Sequence, residues 1–259
     1  MAPLLSIEGV TKEFLVRGTR IAALDAISLA VDEREFVTVI GPSGCGKSTL
    51  LNLVVGLAAP TAGRIVFRGR PIAGITPAIG YVTQRDNLLP WRTLVGNVEI
   101  ALEIRGVARG ERRRRAAGLI AQVGLAGFES HYPHELSGGM RQRANIVRTL
   151  IYEPDLILMD EPFGPLDAQT RIVLQDQLLR LWASTAKTII FITHDLVEAV
   201  ALADRVVVMS SRPGRIKCVA DVPIPRPRDL YRIHEHPGFA PVYGALWNEL
   251  RPEVTVAQA

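Results

Sequence analysis

The chain has 259 residues, 48% of them hydrophobic, with a formal net charge of +4 and a pI near 9.3. That composition supplies a sizeable core and excludes a disordered chain, while no apolar run reaches the roughly eighteen residues that cross a bilayer. The two cysteines, Cys45 and Cys218, lie far apart and fit neither a disulfide framework nor a metal site, which suits a reducing compartment.

The first residues lack the basic-then-apolar layout of a secretory signal. Alternating apolar positions predict strands over 4–10, 12–16 and 26–31, with Gly or charged residues as breaks. Phe36–Ile40 is a short apolar run ending at Gly41, as a buried strand does. Residues 47–57 carry helical spacing, stopped by Pro60, and 64–67 and 80–83 read as further strands. From about 93 to 150 the pattern is mostly helical, with a basic run at 112–115. Alternation then resumes: strand 156–159, helix 168–182, strand 188–193, helix 196–203, strand Arg205–Met209. This order suggests a helical lobe inserted into a mostly parallel sheet. Beyond Asp221 the chain is rich in Pro and Arg (Pro223, Pro225, Arg226, Pro227, Arg228) and turns helix-like near 243–250. There is no internal repeat.

Gly41-Pro42-Ser43-Gly44-Cys45-Gly46-Lys47-Ser48-Thr49 fits the Walker A pattern and stands between a buried strand and a helix start. The glycines let backbone N–H groups turn inward around phosphate oxygens, and the helix dipole adds positive potential. Lys47 is placed to reach β- and γ-phosphates and Ser48 to offer a hydroxyl to Mg²⁺. Cys45 has two readings here: a small packing residue, or a thiol activated by Lys47 and the helix-terminal N–H groups.

Leu156-Ile157-Leu158-Met159-Asp160-Glu161 is an apolar strand ending in two carboxylates, the Walker B form. Asp160 is the candidate Mg²⁺ residue and Glu161 the general base for water. His194, after the 188–193 strand, is a candidate for the γ-phosphate and attacking water. Gln84, after the 80–83 strand, is a candidate for the Mg²⁺ or water network and for a sensor of nucleotide.

Leu136-Ser137-Gly138-Gly139-Met140-Arg141-Gln142-Arg143 is the deciding segment. It resembles the signature motif of ABC ATPases, a serine hydroxyl and glycine N–H groups at a helix start. Met140 departs from the usual glutamine, which leaves a ribose or base contact there open. Gly164-Pro165-Leu166-Asp167 resembles the D-loop, with Asp167 in its usual place. The motifs arrive in the family's order across roughly residues 5–220.

The resemblance implies an α/β fold: a RecA-like P-loop core (1–84 and 151–220) with an N-terminal antiparallel β portion. It also implies an inserted helical subdomain (about 85–150) and a short C-terminal extension (221–259). It implies a head-to-tail dimer holding two ATP molecules, each between one subunit's Lys47 cradle and the other's Ser137 and Gly139. Phe14 stands where the family stacks an aromatic on adenine, with a core phenylalanine as the other reading.

A narrower likeness, to the nitrate, sulfonate and taurine importer ATPases, rests on 84–91, Leu181-Trp182 and the Pro-Arg-Pro-Arg segment at 225–228. It implies a transmembrane permease, a substrate-binding protein reached through it, and a place at the cytoplasmic face of the membrane. It also implies a groove beside Gln84, lined by Leu88, Leu89 and Trp91, for a helix of the permease; burial in the lobe is the other reading of Trp91. No room remains after 221 for the long regulatory domain of sugar-type relatives.

Acidic residues nearly balance basic ones, 26 against 30. The mild excess therefore reads as a solvated surface, and no nucleic-acid partner is expected. The rivals are an exporter or lipid-transport ATPase and a soluble ABC ATPase of repair or translation. The soluble class generally carries two cassettes or a long coiled-coil insertion, and this chain has one cassette without heptads.

Overall fold

Residues 2–185 and 187–256 are described by a computed structural model. In chain order its elements begin with β1 (Leu5–Val16), β2 (Thr19–Val31), β3 (Phe36–Ile40), α1 (Lys47–Val54), β4 (Ala62–Phe67), β5 (Arg70–Pro71) and β6 (Ile79–Val82). Three longer helices follow, α2 (Leu94–Ile104), α3 (Arg109–Gln122) and α4 (Gly138–Leu150). The second half holds β7 (Leu156–Asp160), α5 (Ala168–Thr185), β8 (Thr188–Ile192), α6 (Leu196–Leu202), β9 (Arg205–Met209), β10 (Ile216–Asp221) and α7 (Phe239–Val256).

The strands form a four-stranded sheet, ordered β2-β1-β4-β5, and a six-stranded sheet, ordered β10-β9-β3-β8-β7-β6. The first is antiparallel throughout. In the second only β10 runs antiparallel, against β9. Strands β3, β7 and β8 are buried at every position, as continuous apolar runs in a doubly covered parallel sheet must be.

Alternate residues of those strands feed two cores. On one side Val37, Val39, Leu158 and Ile190 share a core with α1 and with β1 and β2 of the other sheet. On the opposite side Phe36, Met159, Phe191 and Val208 pack with α5, α6 and α7. Helices α2 to α4 surround a separate core, including Leu94, Val98, Ile120 and Val147. At about 1.5–3 kcal/mol per buried large aliphatic side chain, each of these clusters is a substantial source of stability.

The strands expected at 4–10 and 12–16 are one strand. Register shifts on either side of Val10 let β1 absorb the break at Gly9 as a bulge instead of ending there. Strand β10 was not anticipated: its residues alternate between half-buried and exposed, an edge pattern with a weak apolar signal. The Pro-Arg segment is a clasp between core and tail. The buried Arg228 donates through Nη1 to the carbonyls of Val200, Ala201 and Ala203, so a cation meets the C-terminal end of α6. Arg226 lies 4.1 Å from the Trp182 ring centroid and 2.8 Å from Asp204. Among the described residues no helix is long and apolar enough to cross a membrane.

Candidate nucleotide site

The C-terminal ends of β3, β7 and β8 open at the same edge of the parallel sheet, where ligands of such sheets bind. Strand β3 runs into the 41–46 turn and then α1. Gly46 has φ +108°, and a Cβ there would lie 2.7 Å from Leu24 Cδ2 and 2.9 Å from the Ala23 carbonyl oxygen. Only glycine meets both demands. No side chain caps α1, which leaves its first N–H groups for another acceptor. Lys47 is only 6% exposed, and its Nζ donates to the carbonyls of Gly41 (2.8 Å) and Pro42 (3.0 Å).

A cavity of about 320 Å³ is lined by Ser43, Gly44, Gly46, Lys47, Ser48, Thr49, Gln84, Glu161 and Arg212. Most of the Walker A positions, the glutamine and the second carboxylate, far apart in sequence, therefore converge. Pro42 and Gly41 hold the lysine from behind. Cys45 is 1% exposed, and burial raises its thiol against the opposing charge of Lys47. The buried side chain packs within the turn, and a raised thiol favours the packing reading over the activated one.

Asp160, at the tip of β7, is buried. Burial raises its carboxyl above the ordinary value, opposed by a hydrogen bond from Ser48, while the charge of Glu161 pushes the same way as burial. Tyr81 also donates to it, at 3.4 Å. Glu161 follows with φ +43°, a left-handed backbone that costs a non-glycine residue about 1 kcal/mol or more. Two hydrogen bonds hold it there: its N–H donates to the Ile192 carbonyl (3.0 Å), and its carbonyl accepts from Gly164 (3.1 Å). The bent backbone brings Glu161 Oε2 to 3.1 Å from His194 Nδ1.

Ser48, Gln84 and Asp160 offer a hydroxyl, an amide and a carboxylate, an oxygen donor set that suits Mg²⁺. Among the described residues no group of three or more His, Cys, Asp and Glu could enclose a metal.

The 137–139 segment stands outside this cavity. Ser137 caps α4, its hydroxyl accepting from Met140 N at 3.3 Å. Gly138 lines a neighbouring cleft of about 700 Å³ together with Arg141, Pro165, Leu166 and Gln84. Gln84 is therefore common to both openings. Helix α4 also holds the segment after Gln84: Arg141 pairs with Asp86 (3.1 Å), and Arg148 donates to the carbonyls of Asp86 and Asn87 (2.8 Å each). Asp167 accepts from Thr170 N (2.9 Å) at the start of α5, and that bond lowers its carboxyl.

Phe14 lies on the β1–β2 hairpin, 43% exposed, with Lys12 Nζ 5.1 Å from its ring centroid. The core reading of Phe14 is excluded. Trp91 is 72% exposed, so it is not a buried lobe residue. Leu88, in contrast, belongs to the apolar core of α2 to α4 and cannot line a groove. Arg212 was missed by sequence reasoning. The signal was its place just past β9, whose neighbour β3 carries the Walker A turn.

The sequence model of the ABC transporter family matches residues 24–164. This chain belongs to the ABC transporter ATPase family. The cassette is 50% identical over 229 residues to an uncharacterized ABC transporter ATP-binding protein of Methanocaldococcus jannaschii, across 88% of this chain and 86% of that one. It is 43% identical over 256 residues to the taurine import ATP-binding protein TauB of Rhizobium johnstonii, across 97% and 95% of the two chains. Among solved structures, a dimeric ATP-binding cassette in a post-hydrolysis state bound to ADP and Pi matches with a TM-score of 0.74 at 32% identity. That match covers 84% of this chain and 98% of the other. The cassette is an ATP-binding, ATP-hydrolysing subunit with the RecA-like P-loop fold.

Proposed function

We propose that this cassette energises an importer of nitrate, sulfonate, taurine or a similar small solute, from the cytoplasmic face of the cell membrane. It works as one of two cassettes, most simply a homodimer, beneath permease subunits served by an extracytoplasmic binding protein. Its parts are a core (1–84 and 151–220), a helical subdomain (about 85–150) that moves against it, and a C-terminal extension (221–259). The separate apolar core of α2 to α4 supports that division.

The carrying observation is that Lys47, Gln84 and Glu161 line one cavity while Gly138 lines a neighbouring cleft and Ser137, the cap of α4, lies outside the first cavity. A phosphate in the cradle has half its shell from this chain, and a second copy supplies the missing Ser137, Gly138 and Gly139. The Ser137 hydroxyl accepts from Met140 N and keeps its own proton to donate. ATP then joins two surfaces that otherwise lack a shared ligand.

In the cradle, backbone N–H groups and Lys47 neutralise the phosphate chain. Phe14 stacks on adenine. Ser48, Gln84 and Asp160 would hold Mg²⁺, which when bound supplies positive charge to phosphate oxygens. Glu161 accepts a proton from water as the water oxygen bonds to the γ-phosphorus and the bond to the bridging oxygen breaks, leaving ADP and phosphate. His194, 3.1 Å from Glu161, orients that carboxylate and contacts the transferred group. Asp167 lies at the facing surface of the pair. Loss of the γ-phosphate removes the ligand both copies share, and the pair opens. The Asp86–Arg141 contact passes that change from Gln84 to α4. The taurine-import relative and exposed Trp91 support coupling to a permease for uptake.

Reconstitution with its permease and binding protein in liposomes tests the direction. ATP-dependent uptake of a labelled sulfonate, taurine or nitrate is expected; ATP-driven extrusion contradicts the reading.

A further inference from the structure

Arg212 lines the phosphate cavity with Lys47, Ser48, Gln84 and Glu161, yet no motif accounts for it. It sits in the turn joining β9 to β10, and that turn is fastened on three sides. Gly214 N donates to the Ala23 carbonyl (2.9 Å) and its own carbonyl accepts from Asp25 N (3.0 Å). A Cβ on Gly214 would lie 2.1 Å from the Cys45 carbonyl oxygen, so the turn presses on the Walker A loop where only glycine fits. From the third side, Ser211 N donates to Glu253 of α7 at 2.7 Å, the contact that chiefly lowers the Glu253 carboxyl.

This scaffold ends in an exposed guanidinium that makes no hydrogen bond or ion pair among the described residues. Its neighbour shows the contrast, since Arg215 is committed to Asp25. Of the two cations lining the cavity, Lys47 is held by carbonyls of its own loop. Arg212 is the one with all its donors unspent. A planar fork of N–H donors beside a phosphate site matches phosphate oxygens two at a time.

We propose that Arg212 is a nucleotide-binding residue that donates to the phosphate chain of ATP from the β9–β10 turn, and that α7, through Glu253, holds the turn in place. This rests on the reading of the cavity as the phosphate site. Among the described residues the side chain has no partner to lose, so its removal should leave folding intact.

The test is titration of the full chain with a fluorescent, non-hydrolysable ATP analogue and Mg²⁺, at protein concentrations that keep it monomeric. Arg212→Ala should raise Kd about tenfold, with Arg212→Lys intermediate because charge remains but the fork is lost. The Tm without nucleotide should not move. Lys47→Ala run in parallel separates the two claims. If Lys47→Ala weakens binding and Arg212→Ala does not, this inference alone falls. If neither weakens it, the cavity is not the phosphate site and both readings fall. A defect of Arg212→Ala confined to ATP-driven dimerisation, at unchanged Kd, also overturns it and assigns the arginine to the facing cassette.

Discussion

Two helix starts in this molecule are suited to phosphate, and they are built differently. At α1 the cap position is a left-handed glycine without a side chain, the first lysine is buried, and two carboxylates arrive from β7. At α4 the cap is an exposed serine bonded to its own helix, and the surrounding charge comes from Arg141. The first site has the means to break a bond; the second offers only donors. On the proposed reading, one half complete and one half complementary make pairing with a second copy the way each end gains what the other lacks.

Substitutions at the first site should cost most. Lys47→Ala should reduce steady-state phosphate release about 1000-fold, since a buried cation on the phosphates is lost. Circular dichroism should be unchanged, because Lys47 Nζ bonds only within its own loop, to the Gly41 and Pro42 carbonyls and the Cys45 sulfur. Glu161→Gln keeps the shape of a residue already held by backbone bonds and removes the proton acceptor. Hydrolysis should fall by about 100-fold or more, and ATP should drive an enduring dimer visible by light scattering.

Much of the fold and of the candidate site was readable beforehand because the parts proposed to bind phosphate are local. The 41–49 turn and the 156–161 strand each carry their chemistry in adjacent residues, so spacing alone located them. The expected α/β architecture is present, including the helical interruption between β6 and β7. What escaped depended on distant partners. The left-handed Glu161 is imposed by β8, the burial of Leu88 by α2 to α4, and the place of Arg212 by a turn folded under Cys45. The β10 edge strand shows too little apolar contrast to be seen, and a bulge at Gly9 reads in one dimension as a break.

Smaller effects mark the regions outside the two sites. Trp91→Ala should leave hydrolysis by the isolated cassette unchanged but lower solute uptake by the assembled transporter about tenfold, as expected for an interface aromatic. The smallest change belongs to Glu198, buried beneath the His194 loop against Gln175 (2.8 Å). Burial raises its carboxyl from 4.5 to about 7. The folded chain thus holds the proton more tightly than the unfolded one, and stability falls as pH rises through that window. Glu198→Gln should match the parent Tm near pH 4.5 and exceed it by a few degrees at about pH 8, measured by calorimetry.

Complementation between two defective forms tests the shared site most directly. Lys47→Ala spoils a cradle and Ser137→Ala spoils the opposing cap, so a mixed pair retains one intact cradle facing one intact cap. Mixing the two purified variants should give phosphate release well above the sum of the separate preparations. Activity no greater than that sum would mean that each ATP is handled within a single chain.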